Sequence, residues 1–260
     1  MADYQSTFRR VEMKYVMNPD QKRAVLDVLD GRMAVDSYGR TEIRNIYYDT
    51  PDFILARRSI EKPAYKEKLR TRSYGAPGPD SRIFVELKKK YLGIVYKRRL
   101  ALTEAEAEEW LDRGGSGPDT QVGREISYMF RNYPGLGPAM YLSYEREALR
   151  PLDSALDLRI TFDERITARL DGLDISLPAG GTELIPGGTL MEIKTATAIP
   201  LWLARTMSEN RIFRSPFSKY GNAYKKLLFD RVDWELCDRY RISRHHVFTC
   251  FPHVMLHSDF

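Results

Sequence analysis

The residues best equipped for chemistry in this 260-residue chain are lysines and arginines placed two apart. Lys66, Lys68, Arg70 and Arg72 form one run; Glu86, Lys88 and Lys90 form a second, and Lys97 with Arg99 a third. Shorter sets are Glu12 with Lys14, Tyr144 with Arg146, Arg159 with Thr161, Asp163 and Arg165, and Glu192 with Lys194. Residues two apart in a β-strand share a face, so each set predicts a strand with one charged side. The other parity is apolar, as with Ile94, Tyr96, Leu100 and Leu102, or Leu158, Ile160, Phe162 and Ile166. A single strand of this kind fits an ordinary antiparallel sheet with one wet face. Seven of them dominated by Lys and Arg fit better a sheet curled with its charged side inward and helices over its apolar side. Like charges crowded there repel, and a multivalent anion relieves the repulsion. A triphosphate or longer phosphate chain has that charge density, and Arg and Lys are the side chains that bind phosphate oxygens. The few carboxylates suit Mg2+ or Mn2+, which take oxygen ligands and bridge to phosphates.

The elements that must position these residues follow from local signals. A strand at 7–17 precedes Asn18 as N-cap and Pro19 at the first position of a helix over 19–30, which Gly31 ends. Extended segments are predicted at 32–36 and 43–49, with a short helix after Thr50 and Pro51 to about Ser59. Three alternating segments, 64–73, 82–91 and 93–102, lead to a helix over 103–113 that opens on a capping-box pattern, Thr103-Glu104-Ala105-Glu106. A helix over 119–132 follows, then strands at 139–149, 157–170, 173–177 and 188–195. Pro200 opens a helix to about Asn210, and the run from Phe217 to Asp230 reads as a loop entering another helix. The pattern is that of one α+β domain over 1–230, with 231–260 as a C-terminal tail.

Charge and composition narrow the function. The net charge is +5, yet residues 66–99 alone hold eleven Lys or Arg against Glu67, Asp80 and Glu86. The positive charge is therefore concentrated, and the rest of the chain is slightly acidic. Apolar runs are far too short to cross a bilayer and the first residues have no signal-peptide character, so a soluble cytoplasmic protein is expected. Cys237 and Cys250 supply no disulfide framework. Neither a Gly-x-x-x-x-Gly-Lys-Ser/Thr loop nor a Gly-x-Gly-x-x-Gly turn is present, which argues against phosphate binding by a glycine loop. Cys250, His253 and His257 are spaced somewhat like zinc ligands without a fourth, so packing of that tail is the better reading. Lys89 and Arg98 fall on the parity opposite the charged face, Lys225 and Lys226 read as solvent-facing, and Tyr47 and Tyr48 read as packing residues.

Taken in order, the motifs resemble the catalytic domain of the vacuolar transporter chaperone (VTC) polyphosphate polymerases, within the triphosphate tunnel metalloenzyme (CYTH-like) superfamily. The matching pieces are Arg10-x-Glu12-x-Lys14, Tyr47-Tyr48-Asp49-Thr50-Pro51, Lys68-x-Arg70-x-Arg72-x-Tyr74-Gly75 and Glu86-Leu87-Lys88-Lys89-Lys90. They continue with Val95-x-Lys97-x-Arg99, Tyr144-x-Arg146, Arg159-x-Thr161-x-Asp163, Glu192-x-Lys194 and Phe217-Ser218-Lys219-Tyr220. The resemblance implies an eight-stranded antiparallel β-barrel, a triphosphate tunnel with helices outside. It further implies transfer of the γ-phosphate of ATP to a growing inorganic polyphosphate chain with Mn2+ or Mg2+. On that basis Lys14, Arg70, Arg72, Lys88, Lys97, Arg146, Arg159 and Lys219 hold phosphates. Lys68, Lys90, Arg99 and Lys194 add to the binding surface, and Tyr144 and Ser218 add hydrogen bonds. Glu192 binds the metal, with Glu12 and Asp163 as further ligands or as partners that orient nearby cations.

One departure from the superfamily is informative: hydrolytic members resemble Glu-x-Glu-x-Lys where this chain has Arg10-x-Glu12-x-Lys14. A cation in place of a carboxylate disfavours a second metal and water activation, which favours a polymerase over a triphosphatase. The expected partners are ATP and inorganic polyphosphate, with no nucleic acid and no membrane segment. A triphosphatase and a non-catalytic polyphosphate-binding module are the alternatives.

Overall fold

The structure, a computed structural model, describes residues 11–78 and 81–229. Arg10, the histidines and both cysteines lie outside them. Strand β1 (Val11–Met17) runs into helix α1 (Pro19–Leu29). Asn18 caps α1 by accepting from the Gln21 amide while the Gln21 side chain accepts from the Asn18 amide, so two otherwise orphaned donors are satisfied. The segments predicted at 32–36 and 43–49 are one long strand, β2 (Met33–Asp49). Helix α2 (Ile54–Glu61) follows, and then β3 (Tyr65–Tyr74), β4 (Arg82–Tyr91) and β5 (Ile94–Thr103). Leu92 and Gly93 link β4 to β5, both with positive φ, as a tight two-residue hairpin turn requires. Thr103 and Glu106 form the predicted capping box of α3 (Glu104–Leu111), and Thr120 caps α4 (Gln121–Asn132). The chain continues through β6 (Gly137–Pro151), β7 (Arg159–Arg169), β8 (Thr182–Glu183) and β9 (Thr189–Thr195). It then forms α5 (Leu201–Glu209), α6 (Lys219–Tyr224) and a π-helical turn, Lys225–Phe229.

The class is α+β with a large antiparallel sheet. Its strands follow the hydrogen-bonded order β1-β9-β7-β6-β2-β3-β4-β5, with β8 pairing β7. β1 and β5 stand at the two ends of that order, so the sheet is open by hydrogen bonding and the expected closed eight-stranded barrel is not shown. A second correction concerns 173–177, predicted as a strand and found as irregular backbone. The reason is a side chain. Arg44 Nη1 donates to the carbonyls of Ser176 and Leu177 at 2.8 and 2.9 Å, which satisfies groups that would otherwise need a neighbouring strand.

The described residues fall into two compact units. The first takes 11–42, 144–166 and 185–217; the second takes 43–143, 167–184 and 218–229, less the two undescribed residues. Each has its own core. In the first, Tyr15, Met17, Val25, Leu29, Ile160, Phe162, Ile193 and Leu203 bury the apolar parity of β1, β7 and β9 under α1 and α5. In the second, Leu69, Leu87, Val85, Ile83 and Leu102 pack with Trp110, Ile126 and Met129 of α3 and α4. The apolar parity of β5 is buried only at its end: Leu102 is covered, while Ile94 and Tyr96 are exposed. Lys89 and Arg98 do lie on the helix side, where both reach Glu125 of α4.

The Asn18 cap gives a direct test of how α1 is held. Asn18→Ala is expected to cost about 1 kcal/mol of unfolding free energy, read by urea denaturation, because it removes an acceptor from the first turn.

Candidate functional site

In the second unit the pairing of β3, β4 and β5 converts the alternating charges into rows. Lys68, Lys88 and Lys97 stand opposite one another in one row, and Arg70, Glu86 and Arg99 in the next. Lys66 opposes Lys90 one row further out. Directly opposed like charges destabilise a sheet, so this arrangement needs a counter-charge. Glu86 supplies it from a buried position. Its Oε2 accepts from Arg70 Nε and Nη2 at 2.9 and 2.6 Å. Its Oε1 accepts from Arg99 Nε and lies 2.8 Å from Lys97 Nζ, with Arg99 Nη2 also in contact. Arg72 Nε is 3.9 Å away. Burial alone would raise the Glu86 pKa, but Arg70, Arg72 and Lys97 outweigh it and hold the carboxyl well below the usual carboxylate range. Sequence analysis gave Glu86 no role, although it is one of three acids among eleven cations.

The cations are also oriented by neutral groups. Arg70 Nη1 donates to Tyr47 Oη at 2.9 Å, and Arg72 Nε donates to Asn45 Oδ1 at 3.0 Å. Lys68 Nζ lies 3.0 Å from Ser218 Oγ, which also accepts from the Gly221 amide at the start of α6. Lys219 is buried at the same helix start. Tyr220 locks that helix in place: its ring stacks on Tyr47 with centroids 4.3 Å apart, and its hydroxyl donates to Asp49 Oδ2 at 2.6 Å. Asp49 in turn accepts from the amides of Thr50, Leu55 and Ala56, so one carboxylate caps α2 and anchors α6. Tyr47 and Tyr48 are buried, in line with packing roles. Lys88 and Lys90 sit toward the hairpin tip of β4, and both are exposed.

The first unit builds a second, more compact cluster on β1, β9, β7 and the adjoining part of β6. Lys14, Glu192 and Thr161 stand opposite one another in one row; Glu12, Lys194 and Arg159 form the next. Lys14 Nζ bridges Glu192 Oε1 at 3.1 Å and Glu12 Oε1 at 3.3 Å. Arg146 forks onto Asp163 through Nε and Nη2 at 2.5 and 2.6 Å and reaches Glu192 at 3.4 Å. The Arg146 guanidinium also lies over the Tyr144 ring. Lys194 is 4.0 Å from Glu12, and Arg159 is 3.3 Å from Asp36, both at the more exposed end of the face. The structure therefore gathers Lys14, Glu12, Glu192, Arg146 and Asp163 tightly, with Arg159 and Lys194 on the rim.

The donors present fit a hard divalent cation. Glu192 and Glu12 offer the carboxylate oxygens that such an ion takes, whereas Asp163 directs both oxygens at Arg146 and suits the orienting role. Among the described residues no three His, Cys, Asp or Glu side chains group closely enough to hold a metal. An ion at this face would therefore draw on one or two carboxylates and need phosphate or water oxygens to complete its shell.

The Glu86 hub predicts an acid-sensitive fold. A carboxyl depressed in the folded state contributes stability above its unfolded pKa, near 4.5, and that contribution fades as pH falls further. Glu86→Gln should cost about 3–5 kcal/mol at pH 7 by leaving its cations uncompensated, and the gap to wild type should narrow at pH 3. Urea denaturation at the two pH values reads both.

No curated protein is significantly similar in sequence. Among solved structures, a proposed adenylate cyclase from Bacillus halodurans superposes with a TM-score of 0.51 at 15% identity, covering 84% of this chain and 96% of the other. A proposed adenylyl cyclase from Hippeastrum, described as having a dominant triphosphatase activity, superposes with a TM-score of 0.52 at 16% identity and the same coverage of each chain. At these identities the likeness is one of fold. The model of the VTC domain family matches residues 9–228. With the match running over most of its length, from the strand that carries Glu12 and Lys14 to the helix that carries Lys219, the chain belongs to the VTC domain family.

Proposed function

We propose that this protein is an ATP-dependent inorganic polyphosphate polymerase, with the tunnel architecture that the family resemblance implies. The observation that carries the reading is the row of three lysines, Lys68, Lys88 and Lys97, set beside a row in which one carboxylate serves two arginines. Such a surface is short of negative charge, and a phosphate chain provides negative charge at regular intervals. In this reading Lys14, Arg70, Arg72, Lys88, Lys97, Arg146, Arg159 and Lys219 hold and neutralise phosphoryl groups. Lys68, Lys90, Arg99, Lys194, Tyr144 and Ser218 extend the binding surface.

The chemistry asked of the protein is alignment and charge neutralisation. An ionised terminal oxygen of the chain attacks the γ-phosphorus of ATP, the bond from that phosphorus to the β–γ bridging oxygen breaks, and ADP leaves with the electron pair. No general base is needed. The carboxylates here suit that: Glu86, Glu192, Glu12 and Asp163 are all ion-paired and so already committed to cations. Mn2+ or Mg2+ held by Glu192 with Glu12 would supply further neutralisation of the phosphoryl oxygens. A triphosphatase is the second reading, favoured by the activity described for the Hippeastrum neighbour.

Incubation with ATP and Mn2+ tests the proposal. A ladder of lengthening polyphosphate on a gel is the expected result. Orthophosphate release without chain growth would replace the polymerase with a triphosphatase, and binding of triphosphate with no turnover would leave a binding module. Glu192→Ala is expected to lower metal-dependent product formation by about 10²–10³-fold while largely sparing triphosphate binding.

A further inference from the structure

Thr161 has an unusual position among the described residues: its Oγ1 is the one buried side-chain oxygen or nitrogen with no hydrogen-bond partner. The residue is 4% exposed. Leaving a buried hydroxyl unsatisfied is costly, so it calls for an explanation. Threonine is not demanded by packing at this position, since valine has almost the same shape without the polar atom. The surroundings indicate what the hydroxyl awaits. Thr161 lies directly opposite Glu192 in the β7–β9 register, and Glu192 lies opposite Lys14, so the three side chains share one face. Arg159 and Asp163, two residues away on the same strand, share it too, and Asp163 holds Arg146 there. Lys14, Arg146 and Arg159 bring three cations to this face, each ion-paired with a carboxylate that an incoming anion could replace, and a hydroxyl among them can donate a proton that a carboxylate cannot.

We infer that Thr161 is a binding residue for the phosphate ligand, its hydroxyl donating to a phosphoryl oxygen held between Lys14 and Arg146. The inference rests on the phosphate-binding reading above and adds to it a neutral donor among charged groups. Such a donor ranks oxygens by position, where the cations attract any anion.

Thr161→Val and Thr161→Ser separate this from a purely structural role. Thr161→Val removes a buried unsatisfied group, so the ligand-free melting temperature should hold or rise, while the affinity for inorganic triphosphate falls about tenfold or more, as for a lost hydrogen bond to a charged group. Thr161→Ser should restore most of that affinity. Calorimetric titrations of inorganic triphosphate are run in EDTA and again with Mn2+. A deficit in both supports donation to phosphate; a deficit only with Mn2+ overturns it and makes the hydroxyl a metal ligand. Unchanged affinity in Thr161→Val also overturns it. A wild type that binds no triphosphate would instead sink the phosphate-binding reading itself.

Discussion

Electrostatic self-repulsion is the constraint on which this structure turns. Residues opposed across neighbouring strands have Cβ atoms about 5 Å apart, and like charges placed there destabilise the sheet. The second unit stacks lysine on lysine on lysine and still folds, because Glu86 draws Arg70, Arg99 and Lys97 toward one buried point. The first unit solves the same problem in parallel, with Lys14 between two glutamates and Arg146 clasped by Asp163. In both, a minority of carboxylates sets where the majority of cations may point. In the proposed reading a polyanion replaces such internal anions, so the same imbalance that threatens the fold becomes the source of its affinity.

The two clusters are built differently. Around Glu86 the partners come from β3 and β5 on one sheet face, and the neutral groups Tyr47, Asn45 and Ser218 orient Arg70, Arg72 and Lys68. Around Glu192, Lys14 pairs with two glutamates and Arg146 with Asp163, and the buried Thr161 hydroxyl is the group left without a hydrogen-bond partner among the described residues.

Much of this was readable from residue order. Strand parity placed Lys66, Lys68, Arg70 and Arg72 on one face and sent Lys89 and Arg98 to the helix side, because side-chain direction in a strand is a period-two property of the backbone. Capping chemistry placed the starts of α1 and α3, since the donors it satisfies are local. What parity does not contain is which cation meets which anion: Glu86 gathers partners from β3 and β5, and only strand register fixes that. Sheet closure is likewise a long-range property with no local signature. The misread segment at 173–177 shows the same limit, because a guanidinium from Arg44 supplies there what a strand partner would have supplied. Thr161 was visible as a threonine in a charged alternation, but its lack of a partner is a fact about neighbours.

Asp49 joins two helices that are distant in the chain, accepting the Leu55 amide on Oδ1 and both the Ala56 amide and the Tyr220 hydroxyl on Oδ2. Ser218 and Lys219 therefore cannot shift independently of α2. Any displacement of their helix tugs on the same oxygens that close the first turn of α2, so amide hydrogen exchange at Leu55 and Ala56 becomes a remote gauge of movement in the Ser218–Tyr220 segment.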